Sequence, residues 1–167
     1  MHSYSAADWG NFFVAVTGAA AALTGLLFVA VSINLDRIIN DKEPTMLPAR
    51  AAETIAMLVF VMISSALVLV PQDVHLIGAE ILVMVVPMFV ITLRNQLSFR
   101  RQNPDSPLVW SVSRMTSSGA ATVPGIIAGL SLAARWGGGF YWLVPTALLG
   151  IAGAVYSAWV LLVEIIR

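Results

Sequence analysis

Five long apolar stretches constrain the fold of this chain more than any other feature of its sequence. They cover roughly 11–33, 51–70, 74–93, 116–134 and 140–163. A helix that crosses a bilayer needs about 20 mostly apolar residues. The stretches are continuous and lack the alternation of β-strands, and helices satisfy their own backbone groups in lipid. The sequence therefore predicts an all-α, integral membrane helical bundle with five transmembrane helices, in a single domain over residues 1–167.

The low charge content excludes several other classes of protein. Only 11% of the residues are charged and 59% are apolar, whereas about 25% of a soluble domain is charged. The net charge of zero argues against binding nucleic acid by bulk positive charge. The chain has no cysteine, and we find no catalytic or nucleotide-binding motif. We expect no enzyme activity, no metal site, no cofactor and no nucleic-acid partner.

The basic residues predict an orientation in the membrane. With five spans, eight of the nine basic residues fall on one side, and Arg135 alone falls on the other. The eight are Arg37, Lys42, Arg50, Arg94, Arg100, Arg101, Arg114 and Arg167. Because cytoplasmic loops are enriched in Lys and Arg, we expect the N-terminus outside and the C-terminus in the cytoplasm.

Four of these arginines cluster between the third and fourth spans: Arg94, Arg100, Arg101 and Arg114. Such a juxtamembrane group attracts anionic lipid headgroups. The sequence predicts a lipid contact here, and the alternative is that the four charges set only the topology.

The links between spans predict which helices are neighbours. Pro71–Asp73 and 135–139 are too short for anything but tight turns, so we expect spans two and three, and spans four and five, to form antiparallel hairpins. In the longer link, we expect the third helix to continue past Arg94 toward Gln102 and the fourth helix to begin near Pro107.

Small residues recur at helical spacing in three of the spans. They are Gly18, Ala22, Gly25, Gly125, Gly129, Gly150 and Ala154. Small side chains let helix backbones approach closely, which drives association in lipid. A single helix–helix contact requires two such faces at most, and this chain has three. The helices either pack tightly within one protomer or leave a face for a neighbour, and we expect a homo-oligomer, with another membrane protein as the alternative partner.

Glu80 is the one acidic residue well inside a span. It lies six residues into the third span, or about 9 Å along the helix axis. A carboxyl group at that depth is costly and indicates function by default. It predicts an ion or proton site, with a structural pair with Arg135 or a contact with a lipid headgroup as the alternatives.

Other polar residues could extend an ion path from Glu80: His75, Asn11, Thr17, Thr24 and Ser64. The alternative for the hydroxyl groups is a hydrogen bond to their own helix backbone. His75 precedes Glu80 by five residues, which places the two on different faces of the helix.

The first helix resembles a group of small bacterial multispan proteins. The shared pattern is FF…GAxAALTGLLFVA…SINL, which here runs from Phe12 to Leu35. The start of the second helix, Leu47–Glu53, is also similar. The resemblance implies a multi-pass protein of the bacterial inner membrane and carries no activity with it.

Two functions fit these features. The first is an oligomeric channel or transporter for an ion or small solute, in which Glu80 and the polar face of the first helix form the path. The alternative is a non-transporting assembly or regulatory subunit that docks another membrane protein through its Gly/Ala helix faces. In both, the lipid bilayer is the surrounding partner.

Overall fold

The structure is a computed structural model that describes residues 4–34, 47–102 and 108–166. Within these ranges, the side chains of 47–50, 96, 99, 100, 102, 108–118, 120 and 160–166 are outside the description. The predicted linker residues Arg37, Lys42 and Pro107, and Arg167, lie outside the described residues.

The described ranges contain five α-helices and no strand, so the predicted all-α bundle is confirmed. The helices are α1 Ala6–Ile33, α2 Leu47–Leu69, α3 Val74–Gln102, α4 Leu108–Ala134 and α5 Leu143–Ile166, and a 3₁₀ turn at Gly139–Trp142 precedes α5. The third helix reaches Gln102, as the sequence predicted. Pro87 and Pro124 lie inside continuous helices, whereas Pro145 lies in the first turn of α5, where a missing N–H costs little.

Four of the described helical segments are long and apolar enough to cross a membrane. They are Ala6–Ile33, Ala51–Leu69, Val74–Asn95 and Gly139–Trp159. The described apolar part of α4, Ala121–Ala134, is shorter. The whole of α4 spans 27 residues, or about 40 Å, and its last turn lies beside the first turn of α3. α4 therefore runs back along α3.

The N-terminal segment and two of the links meet at one end of the bundle, which we call the turn end. The backbone N–H of Gly138 donates to the hydroxyl of Tyr4 at 3.3 Å. The rings of Trp9 and Tyr141 pack edge to face with centroids 4.8 Å apart, and Phe13 contacts Phe140 one turn deeper. These contacts place the start of α1 on the same side as the turns that precede α3 and α5.

The helices lie side by side in the order α1, α2, α5, α4, α3. The antiparallel packing predicted for α4 and α5 is present. For α2 and α3, the predicted tight turn is present, but the two helices are not each other's main neighbours: α2 packs mainly on α1 and α5, and α3 packs mainly on α4. The physical reason is that the closest approach available to α3 is on α4, where a glycine of each helix meets the other.

Glycines set the closest helix contact in the described part of the bundle. A Cβ added at Gly78 would lie 2.5 Å from the backbone nitrogen of Ala133 and 2.8 Å from the carbonyl oxygen of Gly129. A Cβ at Gly129 would lie 2.7 Å from Cγ of Leu82. The backbones of α3 and α4 therefore touch, which is the approach that small residues permit in lipid.

We expect Gly78→Ala to lower the thermal unfolding midpoint in detergent. The new methyl group meets backbone atoms that are unable to move aside, so the helices must separate, and overpacking of this kind costs about 1–3 kcal/mol. Gly10→Ala is the matched control, because nothing lies within 4 Å of a Cβ at Gly10. An equal midpoint for the two variants would contradict the close contact.

Candidate functional site

One side of α1 is buried in the bundle. Phe13, Val16, Ala20 and Leu27 are buried, none more than 6% exposed, and α1 packs mainly on α2. Their spacing of three, four and seven residues keeps them on one helical face. This side attaches α1 to the rest of the protomer.

The opposite side of α1 is exposed and lined by small residues. We call it the α1 face, and its members are Asn11, Ala15, Gly18, Ala22, Gly25, Val29 and Ser32. Their spacing alternates between four and three residues, which is the repeat of a helix that packs against another helix along its whole length. At 100° per residue, this face is turned about 180° from the buried side.

The glycines predicted to pack helices fall into two groups: those that contact another helix of the protomer and those that do not. A Cβ at Gly125 would contact Val85 and Thr146 at 3.3 Å, and one at Gly150 would lie 2.7 Å from Val61. Gly129 is at the α3–α4 contact described above, and Ala154 is buried with Leu27 and Leu58. In contrast, nothing lies within 4 Å of a Cβ at Gly18 or Gly25. The small residues of α4 and α5 serve contacts within the protomer, whereas those of the α1 face are unused there.

The hydroxyl groups that could have lined an ion path are engaged by their own helices. Thr17 donates to the carbonyl oxygen of Phe13 and Thr24 to that of Ala20, both at 2.7 Å. Ser64 is buried and donates to the carbonyl oxygen of Val61 at 3.1 Å. These bonds remove the cost of placing hydroxyl groups in an apolar setting.

A polar cluster occupies the turn end around the start of α3. The carboxylate of Asp73 accepts the backbone N–H of His75 at 3.0 Å and contacts the guanidinium of Arg135 at 3.3 Å. The imidazole Nδ1 of His75 donates to the carbonyl oxygen of Ala133 at 2.6 Å. The cluster therefore joins the first turn of α3 to the last turn of α4.

Glu80 is half-buried on α3, and its partner is not the one predicted. The side-chain amide of Gln72 donates to its carboxylate at 2.7 Å, while Arg135 contacts Asp73. The structural pair of Glu80 with Arg135 is therefore wrong. The reason is depth: Arg135 leaves α4 at the level of Asp73, and Glu80 lies seven residues, or about 10 Å, further along α3.

The loop after α4 is shaped by three consecutive glycines, Gly137, Gly138 and Gly139, with φ of 86°, 116° and 55°. Residues with a side chain rarely adopt these angles. The hydroxyl of Ser131 accepts the N–H of Gly139 at 2.8 Å, and the indole N–H of Trp142 donates to the carbonyl oxygen of Gly137 at 2.7 Å. The loop is fixed at both ends and holds Arg135 beside Asp73.

The predicted lipid-contact arginines are partly described. Arg94 and Arg101 are exposed on α3 at the end of the bundle opposite the turn end. The side chains of Arg100 and Arg114 lie outside the description. Asn11, the remaining predicted path residue, is exposed on the α1 face, far around the helix from the buried side.

Sequence reasoning missed Gly78, Gln72 and the role of Asp73. Gly78 is the lone glycine of the third span, which is the signal that could have identified it. Among the residues that the structure describes, no group of three or more His, Asp or Glu side chains is placed to hold a metal ion.

These features define the class of the chain: an α-helical, multi-pass membrane protein. No protein-family model, curated protein or solved structure matches it.

The charge of Asp73 predicts a pH dependence. The pKa of Asp73 lies below its ordinary value of 3.8, first because its carboxylate accepts the His75 N–H and also because Arg135 is near, with partial desolvation opposing both. A lowered pKa stabilises the folded state above the ordinary value, and this contribution is lost as the pH falls through the folded-state pKa. Between about pH 5 and pH 2, we expect the thermal midpoint of wild type to fall more steeply than that of Asp73→Asn. Parallel curves for the two proteins would contradict this role.

Proposed function

We propose that this chain is a membrane assembly protein that associates within the bilayer through the α1 face, with α1 of a second copy as its partner. The observation that carries the proposal is the division of the packing glycines. Gly125, Gly129 and Gly150 meet other helices of the protomer, and Gly18 and Gly25 meet open space. Close packing of small residues is a main attraction between helices in lipid.

The composition of the other exposed surfaces supports this role. The exposed side of α3 carries Val83, Val90 and Ile91, and that of α5 carries Leu148 and Val155. Large side chains of this kind suit contact with lipid tails. Between Ala15 and Gly25, the α1 face is built instead of alanine and glycine, with the exposed Leu26 and Phe28 on its flanks. A surface that meets only lipid has no need of these small residues.

The spacing of the α1 face also favours a second copy. Alternating steps of four and three residues suit two helices that cross at a shallow angle and stay in contact for several turns. A face of this kind is complementary to itself, and a two-fold interface uses the same patch on both subunits. The resemblance of the first helix to bacterial multispan proteins supports an assembly in the bacterial inner membrane, and the excess of basic residues on one side supports an N-terminus outside.

We expect Ala22→Leu to convert the oligomer to monomer in mild detergent, and Ala30→Leu to leave it unchanged. The two variants make the same chemical change in the same helix, and both positions are exposed. Ala22 lies in the α1 face, whereas Ala30 is turned about 100° from Val29. The measurement is molar mass by light scattering, corrected for detergent. Equal masses for the two variants, or a monomeric wild type, would contradict the proposal.

Transport is the second candidate function, and Glu80 is the observation that favours it. A carboxyl group that is half-buried in a span is a default site for a cation or proton. Its hydrogen bond from Gln72 would hold the carboxylate in place between binding events. The path would run between protomers, because the hydroxyl groups of Thr17, Thr24 and Ser64 are bonded to their own helix backbones.

For this candidate, we expect wild-type protein in liposomes to carry a cation or proton flux that Glu80→Gln abolishes. Asp73→Asn is the control, since Asp73 lies outside the span. Wild-type liposomes without flux, or a flux that Glu80→Gln leaves intact, would exclude the candidate. Neither result changes the oligomeric state, so the two functions are tested separately.

A further inference from the structure

We propose that Arg94 and Arg101 of α3 together bind the phosphate of an anionic lipid headgroup in the leaflet at the end opposite the turn end. Both guanidinium groups are exposed. They are separated by seven residues, which places them about 20° apart around the helix and about 10 Å apart along it.

The two arginines continue the exposed apolar side of α3. Val83 is 73% exposed and Val90 is 44% exposed, and Pro87 between them is also exposed. Counted from Arg94, these residues are eleven, four and seven positions back, which keeps all of them within about 40° of it. The side of α3 that meets lipid tails therefore leads directly to the two charges.

The depth of the arginines matches the headgroup layer. The apolar part of α3 that is able to span ends at Asn95, and the helix continues to Gln102. Arg94 thus lies at the boundary of the hydrocarbon, and Arg101 lies two turns beyond it. Long arginine stems let the charged groups reach toward a common phosphate from either side.

Both guanidinium groups are free to bind. Within the described part of the chain, neither Arg94 nor Arg101 has an ion pair, whereas Arg135 at the turn end pairs with Asp73. A guanidinium offers paired N–H donors in the geometry of a phosphate, and a charge-assisted bond of this kind is stronger than a neutral one. A zwitterionic headgroup carries the same phosphate beside a cationic group, so two positive charges favour a lipid with a net negative headgroup over a zwitterionic one.

The test counts lipids bound to the purified protein by native mass spectrometry during titration with phosphatidylglycerol or phosphatidylcholine. We expect Arg94→Gln and Arg101→Gln each to weaken phosphatidylglycerol binding about fivefold and to leave phosphatidylcholine binding unchanged. Arg101→Lys keeps the charge but loses the paired N–H donors, so it should bind phosphatidylglycerol more weakly than wild type and more tightly than Arg101→Gln. Arg135→Gln is the matched control, since it removes an exposed arginine from the other end, and it should bind like wild type.

Three results would overturn the proposal. The first is unchanged phosphatidylglycerol binding in the Arg94→Gln, Arg101→Gln double variant. The second is equal loss of binding in Arg135→Gln, which would indicate a general effect of charge. The third is displacement of the lipid by inorganic phosphate at the same concentration, which would indicate a site for free phosphate instead of a lipid. A thermal midpoint equal to that of wild type verifies that each variant is folded.

Discussion

Lipid offers no hydrogen-bond partner, and the rest of this structure depends on that constraint. Backbone groups in the hydrocarbon must bond within the chain, so the spanning segments are helices. The same requirement fixes the polar side chains: Thr17, Thr24 and Ser64 donate to carbonyl oxygens of their own helices. Glu80 receives an amide N–H from Gln72. Asp73 and Arg135, which carry full charges and form an ion pair, lie at the turn end.

Once the polar groups are satisfied, close packing decides which helices become neighbours. Gly78 and Gly129 bring α3 onto α4, and Gly150 brings α5 onto Val61 of α2. These contacts outweigh chain order, since α2 and α3 are joined by a tight turn and yet pack on other helices. By the same principle, the exposed glycines of the α1 face are the ones that a neighbouring molecule would use.

Much of the fold follows from the sequence, because the length of an apolar stretch predicts that a helix is present and how long it is. It does not predict which other helices pack against it. The five helices and the extension of α3 to Gln102 were predictable in this way. The packing partner of each helix was not predictable. A helix face of small residues, such as Gly18–Gly25 or Gly125–Gly129, has the same spacing whether it packs on a helix of its own chain or on one of another chain. The partner of Arg135 also depends on depth, which the position of the end of α4 beside the start of α3 sets and a linear pattern does not reveal.

The measurement that tests the central claim most directly is a cysteine scan of α1. The chain has no cysteine of its own, so each single cysteine between Asn11 and Ser32 reports on its own position. The account predicts that cross-linking in native membranes gives a covalent dimer at the α1 face, with maxima at alternating steps of four and three residues, and gives none at Phe13, Val16, Ala20 and Leu27. Cross-linking without this periodicity, or only to a different protein, would contradict it.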